Sequence, residues 1–424
     1  MLKLLETRNV GPARSVRLEL AERLNVFTGD NGLGKSFLLD VAWWALTRTW
    51  AGRPAIPMPG SGDAASIAFS FDSVSREVSF ESEFDRLDQR WTSRPGRPAN
   101  PGLVLYARVD GGFSVWDPAR NYWRNLEGRE TPDRPPAFHF SMQDIWNGLE
   151  IDGKVVSNGL LRDWVSWQST KSPEFDRLCD ILAGLSPDAL DQLRPGQPTR
   201  IDLDDARLVP TIAMPYGQDV PVTFLSAGMR RIVAIGYLLV WAWHNHLESA
   251  RFLSLAPARE IIFLMDEIES HLHPKWQRMI LKAIIDVCES IAVGSKAKAQ
   301  LLASTHSPLV LTSVEPVFDE ARDAWFDIDL AERDGRYIVD VVRRPFVKQG
   351  DVSNWLTSEA FGLPSARSRE AEQLIEQASR SVAAGADTKS LQDIEMRLAS
   401  MLPENDPFWR RWQALYDMAS EERR

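Results

Sequence analysis

The sequence predicts an α/β chain over residues 1–345, carrying an antiparallel strand-rich insertion at 84–193, with an α-helical appendage over 346–424. Three observations carry this. Apolar runs such as "LNVFT", "EIIFLMDE" and "LLASTHSP" are too short for helices, end in polar residues and alternate with helical patterns, as buried strands do. Segments such as "SIAFSFD" and "EVSFESEF" alternate apolar and polar residues, the mark of strands with one wet face. Beyond about 346 only helical periodicity remains: Ala371, Leu374, Ile375, Ala378 and Val382, then Leu391, Ile394, Leu398 and Met401.

Taken in order, "RSVRLEL" and "RLNVFTG" open the chain as strands, and "SFLLDVAWWAL" follows as a helix. Residues 84–101 and 117–136 are rich in Arg, Pro, Gly and Asn and are expected to be exposed loops. Between them "LVLYARVD" and "GFSVWD" form a strand pair turned by Gly111-Gly112. From 141 to 193 the pattern is helical, and strands return near 207–213. A long apolar helix is expected at 227–248, then the strand "EIIFLMDE", the amphipathic helix "PKWQRMILKAIIDVCESI" and the strand "AQLLAST". "AWFDIDL" and "YIVDVV" close this region as alternating strands. In the appendage "GADT" reads as a turn, and Asp406-Pro407 as a helix N-cap with proline at the first helical position. The face bearing Trp409, Trp412, Leu415 and Tyr416 is expected to pack on the body of the chain, with a partner site as the alternative.

A chain of 424 residues is long enough to bury a large core, and 44% hydrophobic with 25% charged residues is ordinary for a soluble protein. The net charge of −10 argues against coating nucleic acid by charge alone, while leaving room for a local basic groove. "MLKLLETRNVGP" is charged too early for a signal peptide, and the apolar run 232–243 falls short of the roughly 20 residues of a membrane span. A cytoplasmic protein without a membrane partner is expected. Cys179 and Cys288 sit in helical apolar patterns and read as reduced core residues.

The chemistry lies in four stretches. "GDNGLGKS" places Gly29, Asp30, Asn31, Gly32, Leu33, Gly34, Lys35 and Ser36 between a strand and a helix, matching G-x-x-x-x-G-K-[ST]. Its glycines free backbone N–H groups to wrap phosphates, Lys35 reaches the β- and γ-phosphates, and the Ser36 hydroxyl suits Mg²⁺. The buried strand ending in Asp266-Glu267 delivers one carboxylate for the metal shell and one to orient or deprotonate water. "LLASTHSP" delivers His306 at a strand tip, where it can donate to a γ-phosphate. "TFLSAGMRR" sets Ser226, Ala227 and Gly228 at the start of a helix whose free N–H groups attract an anion, with Arg230 and Arg231 adding positive charge. His271 and His273, without a third ligand, read as structural. "ARNYWRN" offers Arg120, Tyr122, Trp123 and Arg124 either as a solvated loop or as a surface for stacking a base.

Together, over roughly residues 1–345, these motifs resemble the ATP-binding-cassette ATPases, and more closely the branch holding the SMC, RecF and overcoming-lysogenization-defect proteins. The resemblance implies a P-loop NTPase fold with a mixed central sheet, Mg²⁺ and ATP as ligands, and Mg-dependent ATP hydrolysis. In its terms "GDNGLGKS" is the Walker A loop, Asp266-Glu267 the Walker B pair, Glu269 to Pro274 the D-loop region, His306 the switch histidine and "LSAGM" the signature. It further implies that Ser226 and Gly228 hold the γ-phosphate of ATP bound by a second copy of the chain, so that two protomers sandwich two nucleotides. Gln143 matches the metal-ligating glutamine of that family. Ala227 and Met229 depart from L-S-G-G-Q, and Met229 lacks the hydrogen bonds of the glutamine. The sequence shows neither the heptads of an SMC coiled coil nor the acidic motifs of a Toprim nuclease. Two roles stay open: a DNA-linked defence or repair ATPase regulating a separately encoded nuclease or toxin, similar to Septu- and PARIS-type systems, or a non-DNA ATPase that energises a protein complex.

Overall fold

The computed structural model describes residues 1–59, 64–72, 77–92, 100–121, 125–126, 129–130, 136–295 and 297–421. It divides into two compact units, Met1–Val352 and Ser353–Arg424.

An eight-stranded mixed sheet forms the centre of the first unit. Its spatial order is Phe138–Phe140, Phe113–Trp116, Leu103–Ala107, Glu260–Met265, Lys298–Ser304, Leu24–Gly29, Asp323–Arg333 and Arg336–Arg344. The five inner strands run parallel, and antiparallel strands extend both edges. Parallel strands are covered on both faces, which is why "LVLYA", "IIFLM" and "LLAS" are continuous buried runs and not alternating ones.

The register decides where the chemistry goes. Met265 pairs with both Ala107 and Ala303, and Ser304 pairs with Phe27. Gly29 at the end of its strand and the polar Asp266 and Thr305 just past theirs therefore emerge together at the carboxyl edge of the sheet, where open α/β sheets hold their ligands.

A second, five-stranded antiparallel sheet has the order Ser15–Glu19, Leu2–Arg8, Ser66–Asp72, Glu77–Asp85, Arg90–Trp91. The helix Lys35–Thr47 lies between the two sheets and is apolar almost all round. Its Leu39, Trp43 and Trp44 share one core with Leu5, Phe69 and Phe71 of the antiparallel sheet and with Phe27, Ile262 and Leu302 of the central one. The helix that ends the phosphate loop is thus clamped on both sides. Elsewhere the long helix Ala227–Phe252 meets the central sheet through Trp241, whose ring stands edge-on to Phe140 at 5.1 Å between centroids.

Two expectations change. Leu103–Ala107, expected inside the insertion, is a strand of the central sheet beside the acidic strand. Its five consecutive buried residues are the sign of a parallel strand covered on both faces. Residues 117–121, expected to be exposed loop, are largely buried. Asp117 binds His246 at 2.8 Å, and the Arg120 guanidinium lies over Phe138 and Trp241, so Arg120 has its aromatic partners inside the fold. Tyr122, Trp123 and Arg124 lie outside the described residues. The inserted hairpin Leu149–Ile151/Lys154–Ser157 and the helices Leu160–Thr170 and Pro173–Gly184 meet the long helix Ala227–Phe252, where the Tyr237 hydroxyl donates to Asp163 at 2.8 Å and Leu178, Ile181 and Leu182 lie against Gly236.

The second unit contains the helices Arg369–Ala383, Thr388–Met401 and Phe408–Glu421 around a core of its own. Trp412 belongs to that core with Leu374, Ile394, Leu398 and Phe408. The tryptophan expected to face the body of the chain or a partner instead closes this small bundle, which without it has few large side chains to bury. Asp406 accepts a hydrogen bond from the Phe408 N–H at 2.8 Å and so starts the last helix.

Candidate functional site

The phosphate loop turns at Gly29, whose φ is 131° and where a Cβ would lie 2.0 Å from the Ile328 carbonyl oxygen. No other residue fits so close to the neighbouring strand in that conformation. Leu33 is buried and anchors the loop to the core. Lys35 is only 5% exposed, and its Nζ donates to the carbonyls of Gly29 and Asp30, each at 2.8 Å. Burial holds its pKa below the ordinary lysine value, against the opposing pull of the Glu267, Asp266, Asp30 and Glu269 carboxylates. A desolvated ammonium among backbone carbonyls is well prepared to meet a strong anion.

The acidic strand delivers its pair into a network. Asp266 is buried, and the Ser304 hydroxyl donates to its Oδ1 at 2.6 Å. The same Ser304 oxygen accepts the Glu267 N–H at 2.8 Å, so one serine on the neighbouring strand fixes both acidic residues. Glu267 has φ 45°, left-handed for a residue with a side chain, which costs about 1 kcal/mol and persists only where the surroundings enforce it. Besides Ser304, the buried Arg231 enforces it by donating to the carbonyls of Asp266 and Glu267 at 2.9 and 3.0 Å. The Ser270 hydroxyl holds Glu267 Oε2 at 2.9 Å, and His306 Nε2 stands 3.9 Å from Oε1.

Arg231, expected to strengthen the anion site at the signature, is committed to those carbonyls within its own chain. Its neighbour Arg230 is exposed. A guanidinium on a helix's inward face is drawn to turn carbonyls with a spare lone pair, and the turn after the acidic strand supplies them.

The signature follows a short 3₁₀ turn, Val222–Phe224. Ser226 and Ala227 are exposed, and the Ser226 hydroxyl caps its own helix by accepting the Met229 N–H at 3.3 Å. Gly228 is buried, and a Cβ there would lie 2.5 Å from the His271 carbonyl oxygen. This glycine lets the turn after the acidic strand pass close to the signature helix. Gln143 sits on the helix Met142–Asn147, opened by a Ser141–Asp144 capping box. It lines a groove of about 710 Å³ with Trp146, Ala227, Arg230, Arg231 and His271. The lining includes neither Ser36 nor Asp266, so the structure groups Gln143 with the signature end of the site.

Several participants escaped the sequence reading. Ser304 and Thr305 carry a signal only in hindsight, as polar residues at the tip of an apolar strand. Tyr106, buried on the strand beside the acidic one, donates its hydroxyl to Asp40 Oδ1 at 3.1 Å. Asp40 lies four residues beyond Ser36 on the same helix face, a spacing that is readable in the sequence.

Residues 24–312 match the family model described as "AAA domain, putative AbiEii toxin, Type IV TA system". The chain belongs to this family. All four motifs fall inside the matched span. Among its relatives is the "Septu protein PtuA" of Bacillus thuringiensis, 21% identical over 315 residues, covering 73% of this chain and 72% of that protein. Another is the "Retron Vc95 probable ATPase" of Vibrio cholerae serotype O1 biovar El Tor, 33% identical over 104 residues. That match covers 23% of this chain and 17% of the retron protein. Among solved structures, the SMC head domain from Thermotoga maritima aligns at a TM-score of 0.39 and 14% identity, covering 81% of this chain and 99% of that one. An SMC head bound to the C-terminal winged-helix domain of ScpA aligns at 0.40 and 16%, covering 81% and 97%. This member of the AAA family is a P-loop ATPase. Among its described residues no helix is long and apolar enough to cross a membrane.

Proposed function

We propose that this AAA-family chain binds and hydrolyses ATP with Mg²⁺, that two copies close around two nucleotides, and that the cycle gates a separately encoded nuclease or toxin in anti-phage defence. The observation that carries the reading is the convergence at one sheet edge of Lys35, held by the loop carbonyls, of Asp266 and Glu267, bridged by the Ser304 hydroxyl, and of His306, 3.9 Å from the Glu267 carboxylate.

In this reading the loop N–H groups and Lys35 hold the β- and γ-phosphates, and Lys35 exchanges its bonds to the Gly29 and Asp30 carbonyls for bonds to phosphate oxygens. The Ser36 hydroxyl and the Asp266 carboxylate form a hard, all-oxygen donor pair that fits Mg²⁺, which when bound offsets phosphate charge. Glu267, held by Ser270 and by its backbone, orients a water and accepts its proton, and His306 donates towards the γ-phosphate. The exposed Ser226 and the start of its helix face the γ-phosphate of the second copy's nucleotide. Because those contacts exist only while ATP is intact, hydrolysis reopens the pair and acts as a timing switch.

The Septu and retron relatives support a defence role, and the net charge of −10 supports a protein effector as the regulated partner. Glu267→Gln tests the reading. The amide keeps the shape and loses the base, so the variant should bind Mg-ATP, double its mass in light scattering and fail to hydrolyse. Hydrolysis at the normal rate, or no nucleotide-dependent change in mass, overturns it. ATPase rates with and without duplex or single-stranded DNA decide whether nucleic acid enters the cycle.

A further inference from the structure

The carboxylate of Glu269 does something the motifs do not require. It lies three residues past Asp266, in the turn after the acidic strand, yet both its oxygens cross to the neighbouring strand tip. Oε2 accepts the Thr305 hydroxyl at 2.7 Å, and Oε1 accepts the backbone N–H of His306. Thr305 is fully buried, and its Oγ1 also accepts the Ser307 N–H at 3.0 Å. Ser307 in turn donates to Gln277 at 2.7 Å, on the helix that follows the turn. Glu269 is therefore the centre of a clasp across two strand tips that are far apart in sequence.

The clasp matters because of what hangs from it. His306 enters the site from a segment that has just left its strand, since the last ladder pair is Ser304 with Phe27. Beyond Thr305, whose N–H still reaches the Phe27 carbonyl at 3.0 Å, the sheet no longer holds the chain. The His306 backbone is fixed instead by the Glu269 carboxylate. On the other side, the turn carrying Glu269 also carries Glu267 and Ser270. One carboxylate thus sets the spacing between the imidazole of His306 and the carboxylate of Glu267, now 3.9 Å.

We propose that Glu269 is the positioning residue that fixes His306 against Glu267, acting through hydrogen bonds to the switch segment and not through contact with the nucleotide. The proposal rests on Glu267 and His306 acting as described above. It makes a specific demand: the role belongs to hydrogen-bond acceptance by a side chain of this length. A glutamine meets that demand at His306, because its carbonyl accepts the His306 N–H; its amide donates to the second lone pair of Thr305 Oγ1, reversing that bond, so that the Thr305 proton must turn to another acceptor. An alanine leaves the His306 N–H without its partner and lets the segment drift, and a displacement of about 1 Å costs on the order of 100-fold in rate.

The test measures ATP affinity and kcat separately in the full chain for wild type, Glu269→Ala, Glu269→Gln, Thr305→Val and Glu267→Gln. Wild-type turnover that Glu267→Gln abolishes establishes the underlying reading independently. On that background Glu269→Ala should lower kcat about 10- to 100-fold with ATP affinity within about twofold, and Glu269→Gln should stay within about threefold of wild type. Thr305→Val removes one of the two contacts and should fall between them. Glu269→Ala at wild-type kcat overturns the proposal. So does loss of ATP affinity equal to the loss of kcat, or a glutamine variant as impaired as alanine. If Glu269→Ala fails to fold by circular dichroism, Thr305→Val decides: reduced kcat with retained affinity supports the clasp, and wild-type kcat refutes it.

Discussion

Asp40 carries an electrostatic cost at the edge of the phosphate site. Its carboxyl sits below the phosphate-loop serine, bonded to the Tyr106 hydroxyl, and burial pushes its pKa up to about 6. The Tyr106 hydrogen bond and the Arg108 guanidinium pull it down, while the Asp266 and Asp110 carboxylates push it further up. A carboxyl whose folded pKa exceeds its unfolded value binds its proton more tightly when folded. The cost of its charge is thus absent below about pH 4, grows between about 4 and 6, and is complete above that. A rise of about two units corresponds to about 3 kcal/mol of destabilisation at neutral pH. Asp40→Asn removes the charge and keeps an acceptor for Tyr106. Without nucleotide, the variant should melt about 4 °C above wild type at pH 7.5, with the gain vanishing towards pH 4. Scanning calorimetry at both pH values reads this directly. A gain independent of pH, or a loss at pH 7.5, would show that Asp40 is not held in a charge-averse setting.

Three further outcomes follow from the site. Lys35→Ala should abolish ATP binding in a fluorescent-nucleotide titration, because the loop loses its one buried cation; affinity within twofold of wild type removes the phosphate-loop assignment. Gly228→Ala puts a Cβ 2.5 Å from a backbone oxygen of the turn after the acidic strand, so either the helix or the turn must shift. It should cost about 1–2 kcal/mol by denaturation and lower turnover, and a variant as stable and active as wild type would show that the turn yields freely. Ser226→Arg should still bind ATP but not hydrolyse it, and mixing it with Lys35→Ala protein should restore up to about half the activity per dimer through one intact composite site. Full activity of Ser226→Arg alone sinks the role in trans.

What the sequence determined by itself is whatever depends on neighbours along the chain. Eight contiguous residues specify the phosphate loop, because glycine spacing and the following helix create the cradle locally. Likewise the runs around Phe263 and Leu302 announce buried strands, and the helical spacing of apolar residues from Ala371 to Val382 and from Leu391 to Met401 announces two helices, because burial leaves a period. Periodicity tells that a residue is buried but not what it is buried against. Only the parallel register places Ser304 on Asp266, 38 residues apart, and Thr305 on Glu269, 36 apart. Arg231 looked like surface charge for an anion, and Trp412 like a face awaiting a larger body. The tertiary structure gave the first to the carbonyls of Asp266 and Glu267, and the second to its own small core. The same holds for "LVLYA", which identifies itself as a strand yet cannot say that it lies beside Glu260–Met265. A side chain's partner is set by sheet order and helix packing, long-range terms that the local pattern does not encode.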